Sequence, residues 1–123
     1  MSQEKAKHRE KLSGVFAPLA TPFDGQGNLL LDKLASNVEK LNKTRLRGYL
    51  ALGTNGEFRG LSGPEQMKVL KTVVQAASKE KVIMAGTGAE TAPVSIELCH
   101  QAAEIGAHYG SLITPFCRSG GAP

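Results

Sequence analysis

The chain has 123 residues, which corresponds to one ordinary domain at most. With 41% hydrophobic and 21% charged residues, its composition is typical of a soluble globular protein. Its net charge of +4 is mild and no apolar run is long enough to cross a bilayer, so we expect no nucleic-acid partner, no membrane partner and a cytoplasmic location.

The first segment, residues 1–13, is rich in basic side chains. It lacks the apolar stretch of a secretory signal, and it contains two acidic residues, which are unusual in a mitochondrial presequence. Neither an aromatic residue nor a nucleic-acid-binding motif accompanies the basic residues. The simplest interpretation is a solvated, flexible leader.

The first predicted strand runs from Gly14 to Ala20. Because proline is poorly tolerated inside a central strand, Pro18 indicates an irregular strand or one at the edge of the sheet. The first predicted helix spans Asp32 to Lys43 and carries an apolar stripe at helical spacing. Asp32 is expected to accept backbone N–H groups at the start of this helix.

The second predicted strand, Gly48 to Leu52, leads into a helix from Ser62 to Lys79. Ser62 and Glu65 have the spacing of a capping box, in which each side chain accepts a hydrogen bond from the backbone of the other. We expect the buried stripe of this helix to consist of Met67, Leu70, Val74 and Ala77.

The third predicted strand, Val82 to Ala85, precedes a helix from Ala92 to Ile105 that Gly106 ends. The fourth predicted strand is Ser111 to Thr114. Strands and helices therefore alternate as β-α-β-α-β-α-β, the pattern of an α/β fold with a parallel sheet and helical crossovers. We expect this domain to occupy residues 14–117 and residues 118–123 to form a flexible tail.

A polar turn, Gly53-Thr54-Asn55-Gly56-Glu57, follows the second strand. Ligands of parallel α/β folds bind at the carboxyl ends of the strands, and small donor groups there can hold a carboxylate or a phosphate. The simpler alternative is a connecting turn in which glycine supplies a positive φ and Thr54 and Asn55 make local hydrogen bonds. A second turn, residues 86–90, lacks a complete nucleotide-binding fingerprint and is interpreted as a tight turn.

The remaining residues with reactive side chains show no shared spacing for a metal site or a catalytic triad. They are His8, His100, His108, Cys99 and Cys117. We therefore expect neither a metal nor a cofactor.

Several motifs together resemble the dihydrodipicolinate synthase and N-acetylneuraminate lyase family. They are residues 21–24 (Thr-Pro-Phe-Asp), 48–57, 85–88 (Ala-Gly-Thr-Gly) and 114–116 (Thr-Pro-Phe), in this order and spacing. Members of that family are class I aldolases on a (β/α)8 TIM barrel. The resemblance implies that this chain forms the N-terminal half of such a barrel.

The family's reaction proceeds through a Schiff base between a barrel lysine and the keto group of a 2-oxo acid such as pyruvate. The resemblance implies that Gly53, Thr54 and Asn55 bind the substrate carboxylate. It implies a supporting pocket formed by Thr21, Glu57 and Thr114. No cofactor is implied, and a homo-oligomer is compatible with the family.

Two residues depart from the family pattern. Asn55 replaces the second hydroxyl of the family's Gly-Thr-Thr-Gly-Glu motif, as in 4-hydroxy-2-oxoglutarate aldolase-like members. Cys117 stands where an aromatic hydroxyl often joins the proton relay, and a thiol is a weaker hydrogen-bonding group.

The family's Schiff-base lysine lies on a later strand that these 123 residues do not contain. The lysines at positions 68, 71, 79 and 81 fall on or just after the second helix, away from the strand ends, and none is expected in an apolar setting. We expect a truncated family member that is catalytically inactive alone. One alternative is a small non-catalytic α/β module that binds a ligand, which tight binding of phosphate or flavin would favour. Another is a non-catalytic interaction protein, which capture of a full-length homologue would favour.

Overall fold

The computed structural model describes residues 2–113. The helices are α1 (Gln3–Lys11), α2 (Leu31–Asn42), α3 (Gly63–Ala76) and α4 (Ala92–Ile105). The strands are β1 (Phe16–Pro18), β2 (Gly48–Ala51), β3 (Val82–Gly86) and β4 (Tyr109–Ser111). The predicted residues Thr114 and Cys117 and the predicted tail lie outside the described residues.

The four strands form one sheet in the order β1-β2-β3-β4, and every neighbouring pair is parallel. Four parallel strands that alternate with helices confirm the predicted α/β fold. Pro18 ends the edge strand β1, and the next residue resumes the ladder because the Leu19 N–H donates to the Leu50 carbonyl at 2.9 Å.

The hydrophobic core lies on the face of the sheet that α2, α3 and α4 cover. Tyr49 and Ile83 are paired neighbours on that face and are 0% and 2% exposed. The Tyr49 hydroxyl donates a hydrogen bond to Asn42 Oδ1 in α2, so the side chain of Tyr49 points towards the helices. On the opposite face Leu50 and Met84 are only half-buried, so this face is open within the described residues.

The start of α3 follows the predicted capping box. The Ser62 N–H donates to Glu65 Oε2 at 2.7 Å, and the Glu65 N–H donates to Ser62 Oγ at 3.3 Å. Helix α2 lies within one residue of its predicted bounds, but the predicted capping role of Asp32 is wrong, because the N-cap is Leu30 and no side chain accepts a hydrogen bond there. Asp32 instead lies within the first turn, where its charge still favours the positive end of the helix.

Several boundaries of helices and strands differ from the predicted ones. Helix α3 ends at Ala76, three residues before the predicted end, since Ala77 is already extended. Its buried residues are Val69, Leu70 and Val73; of the predicted stripe, Leu70 is fully buried, and Val74 and Ala77 are partly buried against the core. Strand β4 begins at Tyr109, two residues before the predicted start.

The leader contains a helix that the sequence pattern did not indicate. The Ser2 hydroxyl caps α1 by accepting a hydrogen bond from the Lys5 N–H, and none of the helix's residues is buried. No helix between residues 2 and 113 combines the length and apolar character that crossing a membrane requires.

Candidate functional site

The polar turn Gly53–Glu57 lies at the carboxyl end of β2, next to the central strand β3. Residues Thr54–Gly56 form a single 3-10 turn, closed by hydrogen bonds from the Gly56 N–H to the Gly53 carbonyl and from the Glu57 N–H to the Thr54 carbonyl. Thr54, Asn55 and Glu57 are exposed, whereas Gly56 is buried. The predicted carboxylate-binding groups therefore face outward from a compact turn.

Thr21 anchors this turn from the neighbouring strand. It follows β1, is 6% exposed, and its hydroxyl donates to the Gly56 carbonyl at 2.7 Å. A Cβ on Gly56 would come within 3.1 Å of the Leu19 carbonyl oxygen, so glycine permits the close approach of the two segments. Of the predicted supporting residues, Thr21 thus fixes the position of the turn without being exposed beside it.

One residue just before the turn and the last residue of the turn have positive φ. Leu52 has φ +60° and Glu57 has φ +55°, a region that costs non-glycine residues free energy. Leu52 is buried, and its carbonyl lies against Gly86, where an added Cβ would come 2.8 Å from the Leu52 carbonyl carbon. Backbone strain of this kind concentrates at functional sites.

The simpler interpretation as a connecting turn fails in two respects. Gly53 has φ −83°, and neither it nor Gly56 is among the glycines with positive φ. Within residues 2–113 the side chains of Thr54 and Asn55 make no hydrogen bond, so they do not hold the turn together. Their polar groups are available to an external partner.

A cavity of about 100 Å³ opens beside the turn at the carboxyl ends of β2, β3 and β4. Its lining includes Gly53, Thr54, Leu50, Gly86 and Ser111. Polar groups of the turn and apolar side chains of the open sheet face therefore meet at one place. This is the combination that a small-molecule site requires.

A larger cavity of about 600 Å³ lies between the starts of α3 and α4. Its lining includes Phe58, Arg59, Gln66, Val94 and Leu98, but none of the predicted substrate-binding residues. We place the candidate site at the smaller cavity, because only that one joins the turn to the carboxyl ends of the strands.

Lys81 is a buried lysine. It is 5% exposed, and its ammonium group donates to the carbonyls of Thr44 and Leu46 at 2.9 and 2.7 Å. Lys81 directly precedes β3, so it lies at the amino edge of the sheet, opposite the turn. Lys81 is therefore buried, but its ammonium group is held by backbone carbonyls rather than in an apolar setting, at the edge of the sheet opposite the candidate site.

The other motif residues serve the local structure. Hydrogen bonds from the backbone and side chain of Asn28, and from the backbone of Gln26, hold the pKa of Asp24 below its ordinary value of 3.8. Thr87 of the second turn is 1% exposed and accepts a hydrogen bond from the Cys99 thiol, on the helix side of the sheet. Within residues 2–113, no three His, Cys, Asp or Glu side chains converge as a metal site.

Sequence reasoning missed Leu52 and Gly86 as residues that shape the site. Nothing in the apolar character of Leu52 indicated a positive φ. The glycine of the second turn was the one available signal for a close backbone approach.

The parallel strands, the intervening helices and the polar turn at the carboxyl edge define the described chain as part of an α/β barrel. Residues 11–121 match the dihydrodipicolinate synthetase family. The chain therefore belongs to that family. A similar relative is the 4-hydroxy-tetrahydrodipicolinate synthase of Methanothrix thermoacetophila, which is 42% identical over 103 residues. The match covers 84% of this chain and 34% of the relative, so the chain spans about a third of that relative's length.

Solved structures of the family show the same architecture. The N-acetylneuraminate lyase of Proteus mirabilis is 30% identical, with a TM-score of 0.78 over 85% of this chain and 35% of its own. A prophage protein of the dihydrodipicolinic acid synthase family from E. coli K12, solved in complex with pyruvate, is 27% identical. Its TM-score is 0.81 over 88% of this chain and 36% of its own.

Proposed function

We propose that the chain supplies the substrate-carboxylate-binding part of a Schiff-base-forming lyase or synthase that acts on pyruvate or another 2-oxo acid. The observation that carries this proposal is the turn at the carboxyl end of β2, where the side chains of Thr54 and Asn55 have no hydrogen-bond partner within residues 2–113. The solved relative in complex with pyruvate supports the choice of ligand class.

In this proposal the Thr54 hydroxyl and the Asn55 amide donate hydrogen bonds to the carboxylate of the 2-oxo acid. Fixed donors at a strand end cost little reorganisation when the ligand binds. Thr21 acts as a positioning residue through its hydrogen bond to Gly56, and Glu57 supports the same turn. The proposed roles of Thr114 and Cys117, as pocket residue and relay position, rest on the family resemblance alone.

The Schiff base itself requires a nucleophilic amine. A lysine amine adds to the keto carbon, water leaves, and the resulting iminium withdraws electrons from the carbon–carbon bond that is made or broken. No lysine is among the described residues that line the small cavity beside the turn, and the buried Lys81 is held at the opposite edge. We therefore propose that these 123 residues alone are inactive. A cytoplasmic location and a homo-oligomer belong to the same proposal.

The amide side chain of Asn55 affects which reaction we propose. An amide keeps a hydrogen bond to the carboxylate but cannot relay a proton as a second hydroxyl can. We therefore favour an aldol reaction like that of 4-hydroxy-2-oxoglutarate aldolases over dihydrodipicolinate synthesis for the complete barrel.

The test uses borohydride, which reduces a Schiff base to a stable adduct that mass spectrometry detects. The 123-residue chain treated with pyruvate and borohydride should gain no adduct. A chimera in which residues 11–113 replace the matching segment of the M. thermoacetophila relative should gain one. An adduct on the chain alone, or none on a chimera that circular dichroism shows to be folded, contradicts the proposal.

A further inference from the structure

Helix α1 crosses the amino edge of the sheet, opposite the candidate site. Arg47, the residue before β2, donates from Nε to the Lys11 carbonyl at 3.0 Å and from Nη2 to the Glu10 carbonyl at 3.2 Å. Helix α1 also contacts β4: His8 Nδ1 lies 2.8 Å from the hydroxyl of Tyr109, the first residue of that strand. The two rings meet edge to face at 5.7 Å.

These contacts join two strands that are not neighbours. Strand β4 has three residues and pairs with β3 on one side only within the described chain. Its ends are held by hydrogen bonds from the His108 N–H to the Ile83 carbonyl and from the Thr87 N–H to the Ser111 carbonyl. Because Arg47 holds α1 at the start of β2, the His8 contact ties β4 back to the centre of the sheet.

We propose that α1 is a strap that fastens the edge strand β4 to the sheet from its amino end. Burial along the open face agrees with a cover at this end. Gly48 and Val82, at the starts of β2 and β3, are buried, whereas Leu50 and Met84 farther along the same face are half-buried. The ring of Phe16 also lies over Gly48 and contributes to this cover.

The strap is held by polar contacts rather than by a hydrophobic face. No residue of α1 is buried, and Leu12, which follows the helix, is 42% exposed. The guanidinium fork of Arg47 donates to two carbonyls at the C-terminal end of α1, those of Glu10 and Lys11, and the Glu10 carbonyl also accepts from the Ser13 N–H. An element with so few buried contacts opens more easily than the core.

The strap also influences the position of β4 at the carboxyl edge of the sheet. Strand β4 leads through Leu112 and Ile113 to Thr114, the predicted pocket residue, and Ile113 lines the small cavity. A strand fastened at its amino end keeps its carboxyl end in register. The inference depends on α1, β2 and β4 alone, and it holds whether or not the complete barrel binds a 2-oxo acid.

Hydrogen exchange of the full 123-residue chain tests the strap. The variant Arg47→Lys keeps the charge but loses the two-pronged hydrogen bond, and Arg45→Lys, at an exposed position without a hydrogen bond in the described chain, is the matched control. Arg47→Lys should speed exchange about tenfold at the Leu12 amide in the α1 cap, and also at the His108 and Thr87 amides that report on β4. Arg45→Lys should change none of them.

The β4 amides are decisive, because the hydrogen bonds of the Arg47 side chain go to α1 and not to β4. Faster exchange in α1 alone, or in neither element, overturns the proposal, as does an equal rise throughout α3, which reports global unfolding. A second variant, His8→Phe, keeps an aromatic ring at the contact with Tyr109 but removes the hydrogen bond. It should speed exchange at the same amides, and unchanged rates at the His108 amide also overturn the proposal.

Discussion

Thr21→Val removes the hydrogen bond that anchors the candidate site while nearly preserving the shape of the side chain. The Thr21 hydroxyl is buried and donates to the Gly56 carbonyl at 2.7 Å. Valine leaves almost no cavity, so the cost comes from a buried carbonyl that loses this donor, about 1–3 kcal/mol. For a domain of this size, a loss of about 2 kcal/mol lowers the melting temperature by roughly 10 °C.

Urea unfolding followed by circular dichroism measures this loss. The matched control is Thr72→Val, because the Thr72 hydroxyl also donates to a backbone carbonyl, that of Lys68 at 2.8 Å, but on the exposed surface of α3. The control should change the free energy of unfolding by less than about 0.5 kcal/mol. Equal losses for the two variants would refute the view that Thr21 anchors the turn through a buried hydrogen bond.

Two further predictions concern the backbone near the site and the core. Gly86→Ala places a Cβ against the Leu52 carbonyl and should destabilise the chain by more than about 2 kcal/mol, whereas Gly60→Ala, with open space around it, should have little effect. Similar midpoints of urea unfolding for the two variants would contradict this. Burial, and secondarily the charge of Glu80, raise the pKa of Tyr49 above its ordinary value of 10.0. The folded chain therefore holds that proton to higher pH than the unfolded chain. The resulting stability is complete below pH 10.0 and is lost as the pH rises through the raised pKa. As the pH rises through that range, the free energy of unfolding should fall less for Tyr49→Phe than for the wild type. Equal falls for the two proteins in urea unfolding would show that ionisation of Tyr49 does not cause the loss.

Local signals in the sequence predicted part of the fold accurately. The capping box of Ser62 and Glu65 depends on residues three positions apart, and the structure contains both of its hydrogen bonds. Helix α4 has the predicted bounds, because Gly106 ends it with φ +118°. Such features depend on neighbouring residues and can therefore be read directly from the sequence.

Features that depend on distant residues were missed. The positive φ of Leu52 accompanies a close approach of its carbonyl to Gly86 in the next strand, which lies more than thirty residues away in the sequence. Helix α1 has little amphipathic character, and its position depends on side chains as distant in sequence as Arg47 and Tyr109. The sequence did predict the place of the turn, since a polar segment after an apolar strand marks the carboxyl edge of a parallel sheet.

The most direct test of the proposed site measures how pyruvate-dependent borohydride trapping in the chimera depends on Thr54. Thr54→Val removes the hydroxyl proposed to hold the carboxylate, and Thr54→Ser retains it as the matched control. Since a hydrogen bond to a charged group contributes about 1.5–3 kcal/mol, Thr54→Val should raise the pyruvate concentration for half-maximal trapping by about tenfold or more. Thr54→Ser should stay close to the unsubstituted chimera. Equal concentration dependence for the valine and serine variants would contradict the assignment of the Gly53–Glu57 turn as the carboxylate site.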